Sequence, residues 1–255
     1  MSTFKTILAA VAAVIAILCA APPKVRAQTH VQWASNNACT YEASCSFSFS
    51  SNTTAGNLIV ACSGFNNGTG TPTFSDSQGD SFTSAIAKFN NGSSALVCYY
   101  AANIHGGADT VTCSISGSGY CIPAVEEITG AAASSPLDQT GTATPSSTSP
   151  SATTSGAIAQ GNEIVIGSGM DWSAGRTWTA GTGFGNSISV LNSSSCGCSA
   201  GMESRNLTGG SGAQTATFSI SAADPTAIAV MTFKGASSGG ACSPSLTLLH
   251  AGRCD

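Results

Sequence analysis

Hydrophobic residues in this chain fall in short runs separated by clusters of Gly, Asn, Ser and Asp. Thr110-Val111-Thr112-Cys113-Ser114-Ile115-Ser116 alternates with period two, which predicts a strand with Val111, Cys113 and Ile115 inward and the hydroxyls toward water. Asn57–Cys62 and Ala95–Tyr100 are nearly continuous apolar runs and predict buried strands. The same reading gives strands over residues 163–168, 214–220 and 226–234. Asn66-Asn67-Gly68, Gln78-Gly79-Asp80, Asn90-Asn91-Gly92 and His105-Gly106-Gly107 predict the tight turns between them. Beyond the first thirty residues, Ala124–Ile128 is the one short helix candidate, and Pro123 with its β-branched neighbours weakens it.

The start of the chain has a different pattern. Lys5 precedes an apolar run from Ile7 to Ala21, Pro22 and Pro23 break any helix, and Val25-Arg26-Ala27 puts small residues three and one before Gln28. That arrangement predicts a secretory signal peptide over residues 1–27 and a secreted or extracellular product, including one held at the cell surface. The apolar run falls short of the roughly 20 residues a membrane-spanning helix needs. Leu18 before Cys19 argues against a lipid-modified cysteine, where a small residue is required. With Cys19 removed, ten of the 11 cysteines remain, and export makes disulfides their expected chemistry. Spacing suggests Cys39 with Cys45, Cys113 with Cys121 and Cys242 with Cys254, and the two apolar runs suggest Cys62 with Cys98. For Cys196 and Cys198 a mutual bridge, different partners and free thiols all stay open. His30, His105 and His250 are scattered singly, so neither a metal nor a cofactor is expected.

Charge narrows the partners. Only 8% of the 255 residues are charged, against about 25% in an ordinary soluble domain. Loss of Lys5, Lys24 and Arg26 with the leader leaves five basic against twelve acidic side chains. Nucleic acid is therefore excluded as a partner, because nothing concentrates positive charge against phosphates. No segment after the leader is apolar enough to span a membrane as a helix.

Two stretches echo each other at a spacing of 105 residues: Gly56-Asn57-Leu58-Ile59-Val60 and Gly161-Asn162-Glu163-Ile164-Val165. Either a duplicated domain or two halves of one sandwich explains the echo. Between them, residues 140–155 are rich in Ser, Thr and Pro, and read as an extended loop, an edge strand or a linker. The expected organisation is one β-sandwich domain over residues 28–240 with a loop near 140–155, then a cystine-bounded tail over 241–255.

The succession Ala55–Val60, Thr73–Asp80, Tyr99–Ile104, Gly107–Val111, Pro136–Asp138 and Gly161–Val165 resembles a group of uncharacterised secreted bacterial β-sandwich modules. The resemblance spans roughly residues 30–236. It implies export and an all-β, antiparallel, jelly-roll-like sandwich, here stabilised by disulfides, and it supplies no catalytic residue. This chain departs from the pattern at Asp80, where Asn is usual, and in its many cysteines.

Candidate chemistry is sparse. Gly197-Cys198-Ser199-Ala200-Gly201 fits G-x-S-x-G, with Asp224 and His250 following in the order of a hydrolase triad. The strand-to-helix context of a nucleophile elbow is absent around it. Glu126 and Glu127 are adjacent, so a strand turns them to opposite faces, and solvated surface positions are expected for them. Asp76 and Asp80 suit an Asx-type turn better than a calcium loop. The stronger binding signal is Asp171-Trp172 with Arg176-Thr177-Trp178: indole faces stack on sugar rings while Asp171 and Arg176 orient hydroxyls. Packing roles for Trp172 and Trp178 compete with that reading. The expected function is a non-catalytic surface or extracellular module contacting glycan or a neighbouring protein. A self-associating subunit of a fibre or coat is the alternative, and a secreted hydrolase the third choice.

Overall fold

The computed structural model describes residues 24–25, 27–66, 70–172, 176–192 and 196–238, and among these every regular element is a β-strand. Two compact units are distinguished: Arg26–Ala236, and Met1–Val25 together with Ser237–Asp255. In the smaller unit, β1 (Lys24–Val25) pairs antiparallel with β20 (Ser237–Ser238). The predicted Cys242–Cys254 tail and most of the leader lie outside the described residues.

The main unit repeats one plan. Its first half contains a five-stranded sheet in the order β2 (Thr29–Ser35), β9 (Ile122–Thr129), β4 (Leu58–Asn66), β7 (Ser94–Ala102), β6 (Thr83–Asn90). A three-stranded sheet accompanies it: β3 (Glu42–Ser48), β8 (Thr110–Gly119), β5 (Thr73–Asp76). The second half has the order β10 (Leu137–Ala143), β19 (Asp224–Lys234), β13 (Glu163–Asp171), β16 (Cys198–Asn206), β15 (Asn186–Asn192), with β11 (Ser146–Ser147) also on β19. Two short pairs complete it: β12 (Ser151–Thr153) with β17 (Thr215–Thr217), and β14 (Trp178–Thr179) with β18 (Ser219–Ile220). Taken in chain order, β10, β12, β13, β14, β15, β16, β17 with β18, and β19 correspond to β2 through β9, and both large sheets have the same strand order. All pairings are antiparallel.

The two large sheets share one core. Leu58, Val60, Leu96 and Ile122 from the first sheet cluster with Ile164, Ile166, Met202, Met231 and Phe233 from the second. Within this core β4 lies against β13, β9 against β16 and β7 against β19, while β2 neighbours β15 and β6 neighbours β10. The strand correspondence is thereby inverted about β4 and β13, which relates the halves by an approximate twofold axis. Outer faces are covered as well. Ile59, Ala61 and Val125 pack with Phe47, Phe74 and Val111 of the three-stranded sheet. Val165, Ile228 and Val230 pack with Ala152, Trp178, Ala216 and Phe218 of the short pairs. Burial on both faces explains why β4 and β13 read as continuous apolar runs rather than as alternation.

Two sequence expectations change, and one open choice is resolved. Ala124–Ile128 is strand, because β9 is hydrogen-bonded between β2 and β4 and its β-branched residues fit a doubly covered sheet. Residues 140–155 contain the end of β10 with β11 and β12, so the segment contributes edge pairing. The echo is one residue out of step with the pleat: Leu58 and Ile164 both join the shared core, so the structural offset is 106 residues, not 105. A one-residue slip would turn Leu58 onto Glu163 and reverse every side chain.

Candidate functional site

The predicted Trp-Asp-Arg group straddles β13. Trp178 is 3% exposed in the outer core of the second half, edge-on to Phe218 with ring centroids 5.1 Å apart. Its indole N–H donates to Ser199 Oγ at 3.0 Å. Gly169 and Gly201 make room for the ring: a Cβ on Gly169 would come within 2.6 Å of Trp178 Cη2, and one on Gly201 within 2.6 Å of Trp178 Cβ. Trp172, one pleat beyond Asp171, instead packs half-buried against the core between the large sheets. The two indoles therefore serve different cores. Asp171 and Arg176 do meet, with Arg176 Nε 3.8 Å from the fully buried Asp171 carboxylate, and Arg176 also donates to Asp224 Oδ2 at 3.4 Å. Arg176 thus compensates a buried charge and ties the start of β19 to the end of β13.

The residues of the hydrolase-like pattern are occupied in packing. Ser199 is fully buried beneath Trp178, Asp224 holds Arg176, and His250 lies outside the described residues.

The glutamates expected on the surface are buried, which corrects that reading. β9 turns Glu126 and Glu127 to opposite faces, but both faces are covered. Glu127 accepts from Gln32 Nε2 and Asn57 Nδ2, each at 2.6 Å, and from Thr54 N at 2.8 Å, so its charge is satisfied by three donors. Glu126 accepts from Ser204 Oγ of β16 at 2.6 Å and lies 2.9 Å from His30 Nδ1. Burial pushes its pKa up against the opposing effect of those two contacts. Glu203, which accepts from Gly181 N at 2.7 Å and Thr217 N at 3.0 Å, is raised by burial to about 7. Glu163 reaches about 7 through burial and the neighbouring Asp138 carboxylate.

Asp76 closes its turn by accepting from Asp80 N at 2.9 Å, and Asp80 in turn accepts from His105 N at 3.0 Å and lies 2.7 Å from His105 Nδ1. Burial raises the pKa of both Asp76 and Asp109. Among the described residues, no group of three or more His, Cys, Asp or Glu side chains is arranged to hold a metal ion.

Aromatic side chains gather elsewhere, one of them exposed and two half-buried against the shared core. Tyr41, 53% exposed, stands edge-on to Tyr120 at 5.2 Å and 65°, and Tyr120 meets Trp172 at 5.9 Å and 59°. The strip crosses both halves, since Tyr41 and Tyr120 belong to the first and Trp172 to the second. Disulfides lie near each member. Tyr41 lies inside the Cys39–Cys45 loop, Tyr120 inside the Cys113–Cys121 loop, and Trp172 follows Asp171, whose β16 partner Ser199 is next in the chain to Cys198 of the Cys196–Cys198 bridge. Cys45 and Cys113 are themselves register partners. The fourth bridge, Cys62–Cys98, links β4 to β7 inside the shared core. Tyr41 and Tyr120 were missed in the sequence, although each lies within a predicted cystine loop. A separate half-open pocket of about 300 Å³, lined by small residues including Thr54, Gly56, Thr129 and Ala131, lies where β4 begins and β9 ends.

These features define a disulfide-rich, all-β protein with several antiparallel sheets. Comparison with protein-family models, curated proteins and solved structures found no match. No helix among the described residues is long and apolar enough to cross a membrane.

Proposed function

We propose that this protein is an exported, non-catalytic module of two jelly-roll-like sandwich halves that contacts glycan at an extracellular surface. The observation supporting this reading is the Tyr41–Tyr120–Trp172 strip: aromatic side chains gathered from both halves and braced by cystines. Aromatic bodies supply large contact area at little cost in rotamer entropy, and bridged loops keep it preorganised. The polar groups with catalytic potential support the same reading, because Ser199, Glu126 and Glu203 are buried and engaged with neighbouring residues.

A glycan array probed with the secreted protein tests the proposal. Binding should be lost in Trp172→Ala and retained in a Ser199→Ala variant that still folds. Turnover of an ester or glycoside probe that disappears in Ser199→Ala would replace the reading with a hydrolase. Regular filaments in electron micrographs, with no glycan retained, would replace it with a structural subunit.

A further inference from the structure

We infer that the Tyr41–Tyr120–Trp172 strip is a binding site for an uncharged, soluble saccharide chain whose successive rings twist. The inference rests on the contact reading above and names its ligand class from ring geometry and charge.

Geometry argues for a twisted ligand. Interplanar angles of 65° and 59° turn each ring steeply from the next, so the strip is stepped and offers no flat shelf. A flat crystalline polysaccharide surface would touch one ring and stand clear of its neighbours. A chain whose sugar rings rotate along its length can lay one apolar ring face on each step. The spacings of 5.2 and 5.9 Å keep neighbouring aromatic faces within reach of one bound oligosaccharide.

Charge argues for an uncharged one. Glu42 is exposed immediately beside Tyr41. Among the described residues the basic side chains of the main unit are placed elsewhere: Lys88 over Phe65, Arg205 over Phe184, Arg176 with Asp171 and Asp224, and Lys234 opposite Glu163 at the other end of β13 from Trp172. A sulfated or uronic chain would thus bring anions to an acidic protein where the described residues of the strip supply no counter-charge. A cationic sugar would be drawn by that same field, but its attraction would be spread over the surface and screened by salt, whereas stacking is local and insensitive to it. Two of the four cystines observed among the described residues enclose Tyr41 and Tyr120, and a third lies near the strand end that precedes Trp172, the arrangement expected where a small site has to keep its shape.

The oxidised, full-length secreted protein should be tested by affinity gel electrophoresis in laminarin, chondroitin sulfate and glycol chitosan, by sedimentation with microcrystalline cellulose, and on an array of neutral oligosaccharides. Neutral soluble glycans should bind with affinity that is unchanged between low and physiological salt. Tyr41→Ala, at an exposed position where folding is not at risk, should weaken that binding by about tenfold, and Trp172→Ala by at least as much. Stronger retention by chondroitin sulfate, by glycol chitosan at low salt only, or by crystalline cellulose would overturn the ligand class while leaving the contact reading in place. Binding to neutral glycans that both variants retain in full would move the site away from the strip. If no glycan of any class is retained, the contact reading itself fails.

Discussion

At the scale of single residues, two tryptophans six positions apart have opposite consequences. Trp178 fills the outer core over two glycines, so Trp178→Ala should cost about 3–5 kcal/mol, and Gly201→Ala should destabilise through the contact with Trp178 Cβ and Cγ. Denaturant midpoints of the two variants check this, and Trp172→Ala should move the midpoint much less than Trp178→Ala. Buried glutamates give a second expectation. Glu203 and Glu163 keep their protons in the folded state up to about 7, whereas the unfolded chain releases them near the ordinary value of 4.5. The folded state therefore binds more protons between those values, and stability falls as pH rises. Their contribution is complete below about 4.5 and lost above about 7, on the order of 3 kcal/mol for Glu203. Glu203→Gln should flatten the melting temperature against pH over this window. A melting temperature that instead rises from pH 4.5 to 7 would contradict the assignment.

Among the elements, cystine placement separates fold from site. Cys62–Cys98 closes a separation of 36 residues between adjacent strands, and loop closure alone assigns it about 4 kcal/mol. Replacing both cysteines with alanine should lower the unfolding free energy by an amount of that order. Two of the three bridges at the strip are less enclosed, since Cys45 and Cys196 are only partly buried, while Cys113–Cys121 is buried and Cys62 and Cys98 lie within the shared core. Graded reduction followed by mass mapping should open Cys39–Cys45 and Cys196–Cys198 before Cys62–Cys98. On the proposed function, glycan binding should fall with the first group while the strand signal in circular dichroism persists. These pairings were partly legible in the sequence. Cys39–Cys45 and Cys113–Cys121 follow from proximity along the chain and Cys62–Cys98 from two apolar runs, but Cys196–Cys198 depended on how the chain enters β16.

For the whole molecule, the shared core predicts that the two halves unfold as one. β4 and β13 bury their inner faces against each other, and Glu126 of the first half accepts from Ser204 of the second. Neither large sheet covers that face alone. Calorimetry of the purified protein should give a single endotherm whose van't Hoff and calorimetric enthalpies agree, whereas two resolved transitions would mean the halves are energetically separate. If the proposed export holds, intact-mass measurement of protein recovered from the medium should place its N-terminus near Gln28, following the apolar run and the Val25-Arg26-Ala27 segment.

The sequence by itself determined that the chain is all-β and bridged, because period-two alternation, turn chemistry and cysteine spacing are local properties. It also exposed the repeat, through two Gly-Asn turns that open apolar strands. Only the tertiary structure decided which faces those strands bury. Glu126, Glu127, Glu163 and Glu203 look solvent-bound in one dimension and become internal because both large sheets are covered on both sides. The aromatic strip is likewise a product of folding: Tyr41, Tyr120 and Trp172 are dispersed over more than half the chain, the β3–β8 pairing sets Glu42 opposite Gly119 and so brings Tyr41 to Tyr120, and the packing of the two large sheets brings the end of β13 to them. Side-chain alternation reports where a strand points, whereas a surface assembled from three distant loops depends on how the sheets meet.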